Sequence, residues 1–311
     1  MPHMLTHRTA LAVFGIVCGV AFIADARAEE AGDRTGHTAA TRGAGPATRP
    51  ALTNSLGMNF VRIEPGEFMM GSPETEVGRE TNETQHKVKI TRGFLMGTTC
   101  VTQAQWNAVM ETTVVQQRDK YNRRWVLVGE GDELPMYYMS WDEAVQFCKK
   151  LGDKEGRHYR VPTEAEWEYC CRAGTTGAFG GMGDIEDMAW YADNSGRIDS
   201  YAIFKKNPDD YDRPILRNHC HVHPVATKKP NAWGLYDMHG NVYQWCSDYF
   251  ADYPAGDATD AAGPRKGNDS QRVVRGGSFF VFPRWCRSAS RDSYRSDLPE
   301  QRIVGFRVCL D

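Results

Sequence analysis

Three helix starts are spelled out in this chain, and they constrain its fold more than any other feature. Thr102 with Gln105, Ser140 with Glu143 and Thr163 with Glu166 each place a hydroxyl residue three positions before a Gln or Glu. At that spacing the two side chains satisfy each other's backbone N–H groups at a helix N-terminus. Each pair predicts a short helix. In the second, Trp141, Ala144, Val145, Cys148 and Leu151 recur at helical spacing, which makes that face core and Cys148 a packed residue. Elsewhere the chain is rich in Gly, Pro, Asn and Trp, with short β-type runs such as 86–90 and 272–274. The fold class that follows is α+β, loop-rich.

The ends and the composition bound the rest. His3, His7 and Arg8 precede an apolar run over 10–24, and Ala26-Arg27-Ala28 then offers small residues for cleavage, so residues 1–28 are read as a signal peptide for export to a periplasm or the exterior. The run is shorter than the roughly 20 residues that a spanning helix needs, and no later segment approaches that length, so no membrane span is expected once the signal is removed. Residues 29–53 carry Gly, Ala, Thr and Pro with almost no large apolar side chain and cannot offset the entropy of ordering, so they are read as a flexible linker. From Asn54 to Asp311 the composition is even and free of repeats, which argues for one domain. A hydrophobic content of 41% supports a packed core, and 37 basic against 40 acidic residues leave no basic footprint for nucleic acid or anionic membrane. A monomer is expected. Without Cys18, eight cysteines remain, an even number that an oxidising compartment could pair, although the neighbours Cys170 and Cys171 cannot easily bond to each other.

Two clusters invite a chemical reading. His219, Cys220, His221 and His223 could each ligate a transition metal, but in an extended chain the outer two lie about 13 Å apart, so core or solvated roles are expected. Glu164, Glu166 and Glu168 could suggest acid-base work, yet Glu166 caps its helix and the other two are expected to face solvent. Neither a Gly-rich phosphate loop nor a His-Glu-x-x-His zinc motif is present in the mature chain.

A series of segments carries a family resemblance in order along nearly the whole domain. They are NSLGMNFVRIEPGEFMMGS at 54–72, VTQAQWNAVM at 101–110, LPMYYMSWDEAVQFC at 134–148, RVPTEAEWEYCCRAG at 160–174, HPVATKKPNAWGLYDMHGNVYQWC at 223–246, RVVRGGSFFVFPRWCRSASR at 272–291 and GFRV at 305–308. Together they resemble the sulfatase-modifying-factor family. The resemblance implies a single loop-rich domain of the formylglycine-generating-enzyme, C-type-lectin-like fold. Its members include enzymes that oxidise a sulfatase cysteine with oxygen and copper, other oxygenases, and ligand-binding proteins with no chemistry at all.

The resemblance also implies sites, residue by residue. The family's reactive segment follows Arg-Gly-Gly-Ser, with one cysteine three residues past the serine and another five residues later. Here Ser278 is present, Val281 stands at the first cysteine and Cys286 at the second. Copper(I) in a linear site needs two soft thiolates, and valine offers no lone pair. Nearby Arg284, Arg287 and Arg291 would favour a Cys286 thiolate. The family's calcium loop maps onto Asp237, the carbonyls of Gly240 and Val242, and the amide oxygen of Gln244, all hard oxygens of the kind calcium prefers. A second family site would begin at Asn194 and the Ser195 carbonyl.

Two functions remain open on the sequence. One is an oxidoreductase or maturation factor acting with oxygen on a protein or small-molecule substrate; the other is a non-catalytic module that binds a ligand on the lectin-like scaffold. The first requires Cys286 exposed in a polar pocket beside Ser278. The second requires it buried or disulfide-bonded. Formylglycine generation itself is disfavoured by Val281.

Overall fold

The protein is described by a computed structural model over residues 50–181, 183–196, 198–206, 212–264, 270–298 and 302–311. The signal read at 1–28 and the linker over 29–49 lie outside these residues. The linker's last two residues do not behave as linker. Leu52–Thr53 forms strand β1, paired antiparallel with β2, Asn59–Ile63.

β2 continues a five-stranded sheet in the order β1, β2, β5 (Phe94–Gly97), β14 (Cys309–Leu310) and β6 (Tyr159–Arg160). A second sheet pairs β3 (Gly66–Met70) with β4 (His86–Ile90), and the short β10 (Ala258–Thr259) lies parallel to β4. β4 alternates buried and exposed residues, as a strand with one covered face must. A third sheet runs β12 (Arg291–Arg295), β11 (Gln271–Arg275), β9 (Tyr243–Tyr249) and β13 (Val304–Gly305). The two-residue strands β7, Ala189–Trp190, and β8, His239–Gly240, pair with each other.

All three sequence-read helices form with complete reciprocal caps: α1 (Gln103–Met110), α3 (Trp141–Glu155) and α4 (Glu164–Arg172). α2, Val114–Tyr121, has the same arrangement between Thr113 and Gln116. Four short helices follow, α5 (Ile185–Met188), α6 (Ala192–Ser195), α7 (Ser200–Lys206) and α8 (Asp212–Arg217). Among the described residues, no helix is long and apolar enough to cross a membrane. In the core Trp106 of α1 stacks on Phe147 of α3, with ring centres 5.8 Å apart, and Phe306 meets both edge-on. Cys148 is buried on the same inner face.

The eight cysteines of the described residues are all free and all buried, so the pairing expected of an oxidising compartment does not occur. Most of them belong to the two apolar clusters of the core and pack there as small apolar side chains.

α4 overturns a second expectation. Glu164 and Glu168 do not face solvent; both are buried and carry an arginine network. Glu168 accepts from the Gly71 N–H at 2.8 Å and from Arg172 Nε at 2.9 Å, and pairs with Arg275 through Nη2. Glu164 takes Arg291 in a fork, with Nε at 2.6 Å and Nη2 at 2.8 Å. Burial alone would raise the Glu164 carboxyl, but Arg291 and Arg275 hold it below its ordinary value. The network ties α4 to β11 and β12, the strands that flank the family's reactive segment.

Asp248 sits beside this network, and among the described residues no Lys or Arg forms an ion pair with it. Its carboxylate accepts from the Glu164 N–H at 2.9 Å and from Ser247 Oγ at 3.0 Å. Burial, reinforced by the charge of Glu164, pushes it up to about 7. A folded value raised above the unfolded one means that the native state holds the proton more tightly. The resulting stability is present at low pH and lost as pH rises through about 7. From pH 6 to pH 8 the urea midpoint should therefore decline, and Asp248→Asn should flatten that decline. An Asp248→Asn profile parallel to the wild type would show the assignment to be mistaken.

Candidate functional site

The reactive segment leaves β11 through Gly276 and Gly277, both in the left-handed region at φ 94° and 72°. Glycine is required there on two counts, since a side chain would strain the backbone, and a Cβ on Gly277 would lie 2.5 Å from Cys286 Sγ. Ser278 is fully buried, and its Oγ accepts the Phe280 N–H at 3.3 Å, a local turn bond that holds the hydroxyl in the backbone. The Val281 carbonyl accepts the Ala192 N–H at 3.0 Å, pinning the segment to α6.

A short 3-10 turn, Pro283–Cys286, then points Cys286 inward. Cys286 is 0% exposed, and burial pushes its thiol up to about 12, against weaker help from the backbone of Ser278 and Gly240. The arginines expected to favour a thiolate are committed elsewhere. Arg287 holds Glu83 at 2.7 Å and Glu76 at 2.6 Å, Arg291 holds Glu164, and Arg284 lies over the rings of Phe282 and Trp285. Outside the turn, Phe282 stacks on Trp285 at 5.0 Å, and Phe204 of α7 meets Phe282 edge-on at 5.5 Å, with Tyr201 at 6.3 Å. α7 comes from the stretch that departs from the family pattern, and it covers this segment. Val281 is left 8% exposed.

The residues present do not fit a copper ion. Valine stands at one of the two ligand positions and offers no lone pair, and the single remaining cysteine is fully buried.

The structure also brings together a pair that sequence reasoning missed. Cys171 Sγ lies 3.7 Å from His239 Nε2. His239 Nδ1 donates to the Cys286 carbonyl at 2.6 Å, and Nε2 accepts the Gly180 N–H at 2.9 Å. Burial raises the Cys171 thiol, but the neighbouring His239 and the Ser288 hydroxyl draw it below its ordinary value, and Cys171 raises His239 in turn against its burial, so the two are electrostatically coupled inside the core. No sequence signal joins two residues on separate elements whose contact depends on the 180 loop.

The calcium loop is formed, with Asp237 at its start in the left-handed region, which an aspartate tolerates, and Gln244 at its end on β9. Asp237 is buried, and its Oδ2 accepts the Ala226 N–H at 2.9 Å. Gln244 Oε1 already accepts two donors, Trp167 Nε1 at 2.8 Å and Arg307 Nε at 2.7 Å. The loop therefore lacks the terminal oxygen that calcium would need, and these residues do not fit the ion. At the second family position, Asn194 Oδ1 accepts the Tyr191 N–H at 2.8 Å and Nδ2 donates to the Ala189 carbonyl at 2.9 Å. The asparagine caps α6, and Ser195 is buried behind it.

In the histidine run, the His223 ring stacks on Trp190 at 3.6 Å, and burial draws it down to about 4, so it is neutral. Cys220 is buried and held up to about 11. Among the described residues, no group of three or more His, Cys, Asp or Glu is placed to hold a metal.

Comparison with known proteins agrees with this architecture. Residues 47–311 match the sulfatase-modifying factor enzyme 1-like domain. The formylglycine-generating enzyme of Streptomyces coelicolor is 28% identical, with 86% of this chain and 92% of that protein covered. That of Mus musculus is 25% identical, with 91% and 84% covered. Among solved structures, Treponema denticola variable protein 1 superposes with a TM-score of 0.64 at 25% identity, covering 84% of this chain and 98% of its own. PvdO from Pseudomonas aeruginosa gives 0.65 at 24% identity, covering 85% and 100%, a likeness of fold. With a family match that spans most of its length, the chain belongs to the sulfatase-modifying factor enzyme 1-like family.

Proposed function

We propose that this chain is a non-oxidising member of its family, exported through its N-terminal signal, that binds a protein or peptide partner on the aromatic face around Trp285. The observation that carries the reading is the complete burial of Cys286 behind a turn whose other family cysteine is Val281. An oxidase of this type needs a thiol that substrate and oxygen can reach, and the second thiol here is neither reachable nor ionised. Burial of the eight described cysteines also shields them from reagents in the compartment that the signal implies.

The face itself has the composition of a binding surface. Tyr201 is 53% exposed and Val77 85% exposed; Arg284 lies over Trp285 and beside Gly78, and Tyr201 meets Phe282, which stacks on Trp285. Tyr, Trp and Arg are the residues that dominate binding energy at protein interfaces. A relative named Chaperone protein LppX, from Paenibacillus barcinonensis, is 26% identical over 193 residues, with 50% of this chain and 62% of that protein covered. Its name is consistent with partner binding in this family.

The test has two arms. A sulfatase-motif peptide incubated with the purified protein, copper and oxygen should yield no formylglycine by mass spectrometry; catalytic aldehyde formation would end the non-oxidising reading. Peptides selected from a display library on the wild type should lose binding to Tyr201→Ala and Trp285→Ala variants whose circular dichroism is unchanged. Full retention of affinity would place the binding face elsewhere.

A further inference from the structure

Gln244 closes a loop that, in the family, is built around a cation. Its amide orientation is forced by its neighbours. Trp167 Nε1 and the Arg307 guanidinium can only donate, and both point at the same end of the Gln244 side chain, at 2.8 and 2.7 Å. That end must be the oxygen. The nitrogen is thereby turned into the loop, where Nε2 donates to the Asp237 carbonyl at 2.7 Å.

Calcium does two things in a loop of this kind, linking the ends through shared oxygens and supplying positive charge beside the acidic residue. Both are already done here by protein groups. The Gln244 N–H bonds the last loop position directly to the first. Arg307 is fully buried, and it donates to the Gly97 carbonyl at 2.9 Å, the Tyr236 carbonyl at 2.7 Å and, more distantly at 3.5 Å, the Asp237 carbonyl. Its fixed charge counters that of Asp237 and opposes a second cation nearby. A calcium ion would have to meet an N–H where it needs a lone pair.

We infer that the Gln244 amide, with Arg307 behind it, replaces the metal of the 237–244 loop, so that this chain closes the loop without calcium. The inference is independent of the proposed binding function, because it concerns how the scaffold is held.

The same geometry states how to restore the ion. In Gln244→Glu one carboxylate oxygen still accepts from Trp167 and Arg307, while the other faces the Asp237 carbonyl, and two acceptors in contact call for a cation between them. Thermal unfolding of wild type and Gln244→Glu, each in EDTA and in millimolar calcium, tests this. The wild-type midpoint should be the same in both solutions. The variant should melt lower in EDTA and recover by several degrees in calcium, where about 1 kcal/mol of ion binding moves the midpoint of a protein this size by roughly 2–4 °C. Adding Asp237→Asn to the variant should abolish that recovery. A calcium response in the wild type that Asp237→Asn removes would overturn the inference, as would a folded Gln244→Glu indifferent to calcium. If Gln244→Glu does not fold, equilibrium dialysis of calcium against wild type and Asp237→Asn decides alone: equal binding supports the metal-free loop, and an ion lost with Asp237 refutes it.

Discussion

Glu168→Gln should lower the unfolding free energy by about 3–5 kcal/mol, the usual consequence of deleting one partner of a buried ion pair. The carboxylate is 0% exposed and stands between two buried guanidinium groups, Arg172 and Arg275, while also accepting the Gly71 N–H. Glutamine preserves the shape but removes the charge and one acceptor, so the carboxylate contact left to Arg275 is the longer one to Glu164, at 3.5 Å, beside its bonds to the carbonyls of Ser288, Ala289 and Ser290. Against a typical total of about 5–15 kcal/mol, the variant should unfold at a far lower denaturant concentration, as followed by circular dichroism. Lys149→Ala, which deletes an exposed pair with Asp153, should be indistinguishable from wild type. Combining Glu168→Gln with Arg275→Met should cost less than the sum of the two, because the second change removes the charge that the first strands. A Glu168→Gln midpoint equal to wild type would mean that the network does not hold α4 to β11.

How much of this was legible in the sequence follows the range of the forces involved. The helix starts at Thr102, Ser140 and Thr163 were readable because a cap and its partner lie three residues apart, and the structure places both hydrogen bonds at each. Thr113 with Gln116 carries the same signal, but the helix that follows, Val-Val-Gln-Gln-Arg-Asp-Lys-Tyr, has no apolar stripe to corroborate it. The expectation for Glu164 and Glu168 failed for the opposite reason. Spacing within α4 gives no hint of Arg275 and Arg291, which lie over 100 residues away and are what make burial of the acids tolerable. Family motifs located Ser278, Val281 and Cys286, but not the fate of the thiol, because the helix covering the segment comes from the stretch those motifs skip. The residue type at Gln244 was visible, whereas the direction of its amide is set by Trp167 and Arg307 from two other parts of the chain.

The second large effect concerns Cys286. A thiol held at about 12 is ionised at roughly one part in ten thousand at pH 8, against about a quarter for an ordinary cysteine near 8.5. Ionisation alone thus slows its alkylation by about two-thousand-fold, and the Gly277 backbone packed on Sγ excludes the reagent as well. Reaction should proceed through opening of the segment, so its rate should rise steeply with denaturant. Variants that loosen the cover from α7, such as Phe204→Ala, should accelerate it before global unfolding. An oxidase of this family could not operate behind such protection, and for that reason the accessibility of this one thiol tests the non-oxidising reading most directly. The decisive measurement is maleimide labelling of the native protein at pH 8, with the modified cysteine identified by peptide mass spectrometry. The account expects Cys286 to remain unlabelled until the protein unfolds; labelling of Cys286 in the folded protein at the rate of a free thiol would contradict it.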